Sequence, residues 1–589
     1  MSIEYRKTRL EFVCLVFAIF LGQIVSGEDG VSSDTIDRFG RPDKSRIIVG
    51  LNNSVCSNCH SKGTTDSNMK LPPNVRGRAN DGWILGDEVP TWYEHDFHHQ
   101  AFSVLLNEQS QEMAKRLGII DKETKKSSVH RDRRCLSCHS SMPVDQMVVD
   151  AVVDANRVVD KENKENQDYN TKDDPLYNIG VSCEACHGPA GGSNGWEKRH
   201  VDADWRTMNP KSKFEDFGYW DIHSPRTQTR ICLSCHLGNV EQKKVITHEM
   251  YAAGHPPLPS FELSQFVHQM PRHWRRIEEK PKSLSKNVIE KLRQYNQDCD
   301  FALIGDNELA ATKLTVISTL VTLEESMRLT AGLIADPDAS QQWPELANYS
   351  CFACHHELKR EGWRKQTRLS KFPGRPTLHE WPFSLSRVVA KEVLSSNSYS
   401  LFENNVNNVI NAMTARPYGD STELKQTATA LAKSLEIETR QLNCKTIDRE
   451  FGIRFLTKIA TTGSKETTDY DSARQFVWAY ERTLNALNNP VAPNEIVTPQ
   501  EKLPNPDQWV GGHPILVEFE KDLVLWLRAN RTDTRSVSLG SKEQTFEQSQ
   551  RTTNVSETLK KIGEYDSQKT NERFQQLRTP PVTSNSDTK

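Results

Sequence analysis

Gly180-Val-Ser-Cys-Glu-Ala-Cys-His-Gly-Pro-Ala190 holds a pentapeptide, Cys183-x-x-Cys186-His187, that recurs along the chain. It returns as Cys56-x-x-Cys59-His60, Cys135-x-x-Cys138-His139, Cys232-x-x-Cys235-His236 and Cys351-x-x-Cys354-His355. Together the five copies use ten of the 13 cysteines. Two thiols three residues apart lie on one helical turn, and the histidine that follows lies beside them.

Paired Cys-x-x-Cys units build four-cysteine zinc sites, and a single unit forms a thioredoxin-like redox pair. Neither use calls for histidine after the second cysteine. With 18 histidines in 589 residues, five such placements by chance are out of reach. The pentapeptide is the attachment signature of c-type haem, in which each thiol bonds a vinyl group and the histidine becomes the proximal iron ligand. The expectation is five covalently attached haems c.

The composition agrees. Only 36% of the residues are apolar and 26% are charged, a poor supply for the two to three domains that a soft prior of roughly 150 residues each would give. Five macrocycles supply apolar bodies around which short segments pack. The net charge of −3, with no dense basic run, argues against nucleic acid as partner.

Residues 1–27 read as an export signal: Arg6, Lys7 and Arg9 precede the apolar run Phe12 to Val25, and Val25-Ser26-Gly27 offers small residues for cleavage before Glu28. The run would span roughly 24 Å, short of the ~30 Å hydrocarbon core. An exported, periplasmic-type location without a stable membrane span is expected, because c-type haem attaches to reduced thiols outside the cytoplasm. Once the signal has taken Cys14 with it, Cys299 and Cys444 remain as candidates for a disulfide.

Further along, 28–54 is polar and 70–82 is a Pro/Gly/Asn-rich loop. Thr91 and Glu94 form a capping box that predicts a helix running to Gly118. Such a helix places His95, His99, Phe102 and Leu106 on one face, with His98, Phe102 and Leu105 beside it. A further histidine, His200, follows the third site; His248, His255, His268 and His273 follow the fourth. Residues 144–178 read as a short element and a solvated loop, with Met142 a packing residue. From about 284 the texture becomes helical, with an amphipathic register over 310–333 and helices at 384–395, 422–441, 468–488 and 514–529, separated by Pro-rich linkers at 372–382 and 490–506. The division expected is a signal peptide at 1–27, a tetrahaem cytochrome c domain at 28–280, a helical region carrying the fifth site at 281–530, and a polar, largely disordered tail at 531–589 with one last helix near 555–577. The fold class expected is mainly α: a multihaem core with little regular secondary structure, then a helical C-terminal region.

Three blocks carry a family resemblance: Gly180-Val-Ser-Cys-Glu-Ala-Cys-His-Gly-Pro, Trp92 with His98-x-x-Ala101, and Arg230-Ile-Cys-Leu-Ser-Cys-His236. Over about residues 50–260 the chain resembles the tetrahaem cytochrome c-554 family. The resemblance implies that His98 and His200 are distal ligands to other haems, and that one iron can lack a sixth protein ligand. The fifth site and the long helical half depart from that family.

The function expected is electron relay between redox partners, either proteins or quinol-linked donors. Proximal ligands are His60, His139, His187, His236 and His355. Distal candidates are His98, His200, His248 and His255, with His268, His356, His95 and His99 in reserve. The haem at His139 is expected to be the open one, since its polar surroundings offer only His130. The competing reading is a multihaem oxidoreductase acting on a small nitrogen or sulfur compound at an open iron; no Cys-x-x-Cys-Lys site of the pentahaem nitrite reductase kind is present. A third is a structural or sensory haem module. Intact mass under denaturing conditions tests the count: the expected excess is five haems over the mature chain beginning near Glu28, and four or fewer removes a site.

Overall fold

The computed structural model describes residues 56–61, 81–120, 127–141, 180–191, 194–275, 279–295, 308–335, 343–355, 375–466, 469–488, single positions between 515 and 523, 531–539, 542–550 and 565–577. The export signal, the polar stretch 28–54, nearly all of the loop 70–82, Met142, the segment 144–178, Cys299, His356 and the linker 490–506 lie outside them, as does most of the helix expected at 514–529.

The chain is mainly helical. The first half carries short helices: α1 Ser57–His60, α2 Glu88–His95, α3 Glu108–Arg116, α4 Arg133–His139, α5 Cys183–His187, α6 Trp196–Arg199, α7 Pro210–Phe217, α8 Pro225–His236, α9 His248–Ala253, α10 Leu263–Gln269 and α11 Lys282–Tyr295. The second carries long ones: α12 Ala310–Ala335, α13 Trp381–Val393, α14 Ser396–Thr414, α15 Ser421–Leu442, α16 Arg449–Glu466 and α17 Tyr470–Asn488, with α18 Ser567–Gln576 near the C-terminus. Residues Arg531–Leu539 and Lys542–Gln550 pair as an antiparallel hairpin, β1–β2. No helix among the described residues is long and apolar enough to cross a membrane.

The 26-residue helix α12 is the spine. It packs against α8 and α10 on one side and against α13, α15 and α17 on the other. Its sequence reads as amphipathic, yet the helix is buried on all sides, including Thr312, Thr315, Thr319, Thr322 and Thr330. Buried hydroxyls need partners; Thr315, Thr319 and Thr330 donate to the carbonyls of Ala311, Thr315 and Ser326, one turn back.

Around the spine, α13–α17 build one large apolar core containing Phe455, Tyr470, Phe476, Trp478 and Tyr480, all with no exposed surface. Phe574 on α18 joins it, so the polar C-terminal tail is docked at that point. The helix α14, absent from the sequence reading, presents Phe402, Val406, Val409 and Met413 at helical spacing to this core. The helix α16, also absent, does the same with Phe451, Phe455 and Ile459. The linker expected at 372–382 ends early, because Trp381-Pro382 is the first turn of α13, where proline is well placed.

The first half is built differently. Its apolar clusters are small: Phe102 with Leu105, Ala114, Ile119, Val129 and Leu136 in one, and Val89, Trp92 and Tyr93 in another. The single helix expected from Thr91 to Gly118 is broken in the middle. Thr91 lies inside α2, which stops at Asp96, whose side chain turns back to accept the His98 N–H. Short 3₁₀ turns at Phe97–Gln100 and Ser103–Leu106 follow, and Asn107 caps α3. Asp and Asn side chains compete with the backbone ladder at such points, so the histidines do not share one helical face.

A buried ion network fastens the two halves together. Arg226 and Arg230 on α8 meet Glu324, Glu325 and Arg328 on the spine and Glu436 on α15. Arg230 bonds Glu324 directly and reaches Glu325 at 2.9 Å, while Arg328 reaches Glu436 at 2.7 Å. Three guanidinium groups thus oppose three carboxylates, and Arg440 on α15 brings a fourth to Glu436 at 3.4 Å. Burial alone would favour the neutral acid of Glu324, but Arg230 and Arg226 hold it ionised, well below the usual carboxylate range. Removing one partner from such a buried set leaves uncompensated charge, at a cost of about 3–5 kcal/mol. Glu324→Ala is therefore expected to lower stability by about that amount in denaturant titration of the holoprotein; a change within ~0.5 kcal/mol would mean the network contributes nothing net.

Candidate axial-ligand centre

Each pentapeptide sits on one tight turn. The His60 N–H donates to the Cys56 carbonyl at 3.0 Å and the His355 N–H to that of Cys351 at 2.7 Å, which sets both thiols and the imidazole on the same side of the backbone. The first four copies are α1, the end of α4, α5 and the end of α8; the fifth is a 3₁₀ turn, Cys351–Ala353.

Four of the five motif histidines face a second histidine from elsewhere in the chain. Ring centroids are 6.3 Å apart for His60 and His200, 6.4 Å for His139 and His255, 6.2 Å for His236 and His98, and 6.2 Å for His355 and His248. An imidazole nitrogen binds a transition metal at about 2 Å, with the ring centroid roughly 1.1 Å farther back. Two rings on opposite sides of one metal ion therefore stand about 6.3 Å apart, the separation found in all four pairs. Packed aromatic rings cover the same range, as Trp92 and Tyr93 do at 6.3 Å, so the weight lies in four pentapeptide histidines each having a remote histidine at this distance.

The outer nitrogens are satisfied as metal-binding imidazoles require. Nδ1 of His60 meets Glu88 at 3.0 Å and that of His98 meets Asp96 at 2.9 Å. His139 uses the Ala101 carbonyl at 2.6 Å, His200 that of Glu197 at 2.5 Å, and His255 that of Pro256 at 2.8 Å. In each the Nδ1 contact orients the ring, and a metal would be taken at Nε2. Burial keeps several rings neutral and ligand-ready: it lowers His139, lowers His200 with help from His60, and takes His255 down to about 4 with help from His139. His60 goes the other way, because its hydrogen bond and charge contact with Glu88 outweigh burial.

The backbone fixes this arrangement at two glycines. Gly180 has φ +46°, and a Cβ there would lie 2.3 Å from the His99 carbonyl oxygen. That close passage lets the Val181 N–H donate to the His98 carbonyl at 2.9 Å and the Trp92 indole N–H to the Val181 carbonyl at 3.2 Å. Gly188 has φ +88°, with a Cβ position 2.3 Å from the Gly218 carbonyl oxygen; there the Trp220 N–H donates to the His187 carbonyl.

Thiols of different copies also meet. Cys56 contacts Cys183, and Cys138 contacts Cys235. Both Cys56 and Cys183 pack on the Val89, Trp92 and Tyr93 cluster. Burial pushes the thiols of Cys135 and Cys186 up to about 12 and raises those of Cys59 and Cys232 as well, whereas Cys351 is exposed. Cys354 is exposed, and Cys444 is disulfide-bonded.

The remaining candidates separate cleanly. His95 is exposed beside Glu94. His99 is buried, with its ring tilted on Tyr93 and edge-on to Trp92, a core histidine. His268 lies on α10. His139, expected to face an open position, has His255 opposite it. His255 is 116 residues downstream, read from the two positions, so no local reading of 130–141 reveals it. His187 is the exception: among the described residues no histidine ring stands at this spacing from it, and its ring neighbours are Tyr219 at 6.1 Å and Trp196 at 6.4 Å.

Comparison of the chain with protein-family models, curated proteins and solved structures gives no match. The centre thus rests on its own geometry. His98→Ala should convert one low-spin ferric signal to high-spin with every covalent group still attached; unchanged low-spin intensity in electron paramagnetic resonance removes His98 as a ligand.

Proposed function

We propose that the protein is an exported, periplasmic-type multihaem cytochrome c that relays electrons between redox partners, either proteins or quinol-linked donors. The observation that carries this reading is the set of four cross-chain histidine pairs, each joining a Cys-x-x-Cys-His imidazole to a remote imidazole at 6.2–6.4 Å. The residues fit haem c in three further respects. Paired thiols flank each proximal ring, Nδ1 hydrogen bonds orient both rings of two pairs and one ring of a third, and the first half has only small apolar clusters of its own. Haem supplies the Fe(III)/Fe(II) couple when bound; the chain attaches it, orients it and closes its faces. This core resembles the tetrahaem cytochrome c-554 family, with a fifth site added.

The thiol contacts support an order for the relay. Cys56 touching Cys183 makes sites one and three neighbours, and Cys138 touching Cys235 does the same for sites two and four. The packing of α5 on α8 joins three to four. His248 and His255 flank α9, so one short element serves sites five and two. The series runs five, two, four, three, one. Histidine on both faces lacks the potential-raising methionine ligand, which suits a low-potential carrier.

The competing reading, an oxidoreductase at an open iron, has one observation in its favour: the missing ring opposite His187. A spectroscopic test follows from ring angles. His60/His200 and His355/His248 are near parallel, at 22° and 28°, whereas His236/His98 and His139/His255 are near perpendicular, at 89° and 82°. Parallel axial planes give ordinary rhombic low-spin signals, and perpendicular ones give highly anisotropic signals. Two haems of each kind are expected in the ferric spectrum. Rapid carbon monoxide binding at two or more reduced haems, with turnover of nitrite or hydroxylamine, would favour the enzyme instead.

A further inference from the structure

Trp83 carries two cations: the Arg206 guanidinium carbon lies 4.8 Å from its ring centre and the Lys280 Nζ 4.0 Å. Arg206 follows Trp205 on a 3₁₀ turn, Trp205–Thr207. A third cation, Lys213 on α7, has its Nζ 5.2 Å from the Trp205 ring centre and 5.9 Å from that of Tyr219. Arg275 is close by, its Nε bonded to the Ile84 carbonyl at 3.4 Å. Cations on aromatic faces are common, but this group is short of carboxylates. Asp81 is taken up by Arg206 at 2.6 Å and by the Trp83 N–H at 2.9 Å. Asp221, whose charge bears on Lys213, is held by His223 at 2.7 Å.

Among the described residues no carboxylate lies within ion-pair distance of Lys213 or Lys280. Lys213 is the more telling of the two, because only 9% of it is exposed. A buried ammonium calls for a counter-charge in contact. Lys280 is half-buried; burial and then the charges of Arg206, Lys213 and Arg275 pull it down to about 8. The cations thus repel one another, with two of them unpaired.

The cluster lies against the third pentapeptide. The Tyr219 ring, 5.9 Å from the Lys213 Nζ, is 6.1 Å from the His187 ring and near parallel to it. The Trp220 N–H donates to the His187 carbonyl at 3.0 Å, and the Tyr219 N–H to that of Lys213, also at 3.0 Å. The end of α7 is therefore fastened to the turn that holds Cys183, Cys186 and His187. A haem is an apolar macrocycle with two propionates at one edge. Two unpaired ammonium groups among Trp83, Trp205 and Tyr219 match that edge in charge and in apolar character, whereas a free small anion would match the charge alone.

We propose that Lys213 and Lys280, with Arg206 beside them, seat the two propionates of the third haem. The assignment rests on the multihaem reading above and deepens it, naming the groups that anchor one macrocycle and raise its potential. The ligand chemistry is a pair of carboxylates; a soluble carboxylate or oxyanion would be the other source, and the test separates the two.

The test uses the mature holoprotein. Denaturing mass first counts haems; a chain without covalent haem would sink the multihaem reading itself, separately from this assignment. Spectroelectrochemical titration then compares the wild type with Lys213→Met, Lys280→Met, Lys213→Arg and Lys211→Met, the last altering an exposed α7 lysine paired with Glu215. Lys213→Met and Lys280→Met should each lower the potential of the same single haem. Its ferric-to-ferrous ratio at a fixed ambient potential should rise about tenfold, which is about 59 mV for one electron. Lys213→Arg and Lys211→Met should leave every potential in place. The haem that shifts should be none of the four assigned to histidine pairs from their ferric signals; a shift confined to one of those four overturns the assignment. Unchanged potentials in both methionine variants overturn it too. The wild type is also titrated with acetate and with nitrite, and no saturable change is expected. Saturable binding that Lys213→Met abolishes would make this a site for a soluble anion and overturn the propionate assignment. Should Lys213→Met fail to mature, Lys280→Met decides by the same criteria.

Discussion

The contact between Arg230 and Glu324, reinforced by Arg226, Glu325, Arg328 and Glu436, holds the fourth pentapeptide in place. Arg230 lies two residues before Cys232, so α8 is fastened to the spine within one turn of its thiols. Because Glu324 has no exposed surface, the carboxylate depends for solvation on these guanidinium groups and on the Thr439 hydroxyl, which donates to it at 3.3 Å. A buried set of this kind adds little to stability compared with well-packed apolar side chains, but it is intolerant of losing one member. Here it sets the angle and depth at which the cysteine-rich half meets the helical half.

The two halves solve the packing problem in different ways. Around α12, large side chains such as Trp478, Phe476 and Phe455 fill a single apolar core, the arrangement expected when burial of apolar surface drives folding. In the first half the apolar clusters are a few residues each, and histidines and cysteines occupy the space between them. The helical half therefore acts as a folded platform, and it carries the fifth pentapeptide to His248 of the first half. The boundary drawn near residue 280 divides two textures of sequence; the packing crosses it through α8, α10 and α12.

In the candidate ligand centre, the described histidines differ in what lies behind the ring. Glu88, Asp96 and the carbonyls of Ala101, Glu197 and Pro256 each take one nitrogen and aim the other. His99, only one residue from His98, instead packs against Tyr93 and Trp92. The difference arises at Asp96, which ends α2 and takes up both the backbone and the ring of His98. Carboxylate and carbonyl partners differ in charge, so the imidazoles they orient differ in basicity from one ring to the next.

The five Cys-x-x-Cys-His units and the helical texture after residue 284 were legible because their signals are local: a fixed pentapeptide, and apolar residues at helical spacing. The remote histidines His98, His200, His248 and His255 were reachable through isolated position and family resemblance, whereas their pairing was not. Which ring faces which depends on backbone passages such as Gly180 against the His99 carbonyl and on contacts spanning more than a hundred residues, as for His139 with His255. The break at Asp96 escaped the helical reading because a capping aspartate looks the same on paper as a solvated one. The burial of α12 on every side was likewise a tertiary outcome: Thr315, Thr319 and Thr330 satisfy their hydroxyls within the helix, those of Thr312 and Thr322 are buried without a hydrogen-bond partner, and nothing in the one-dimensional pattern marked any of them as interior. Local chemistry was written in the sequence; which histidine rings lie near one another came only with the three-dimensional path of the chain.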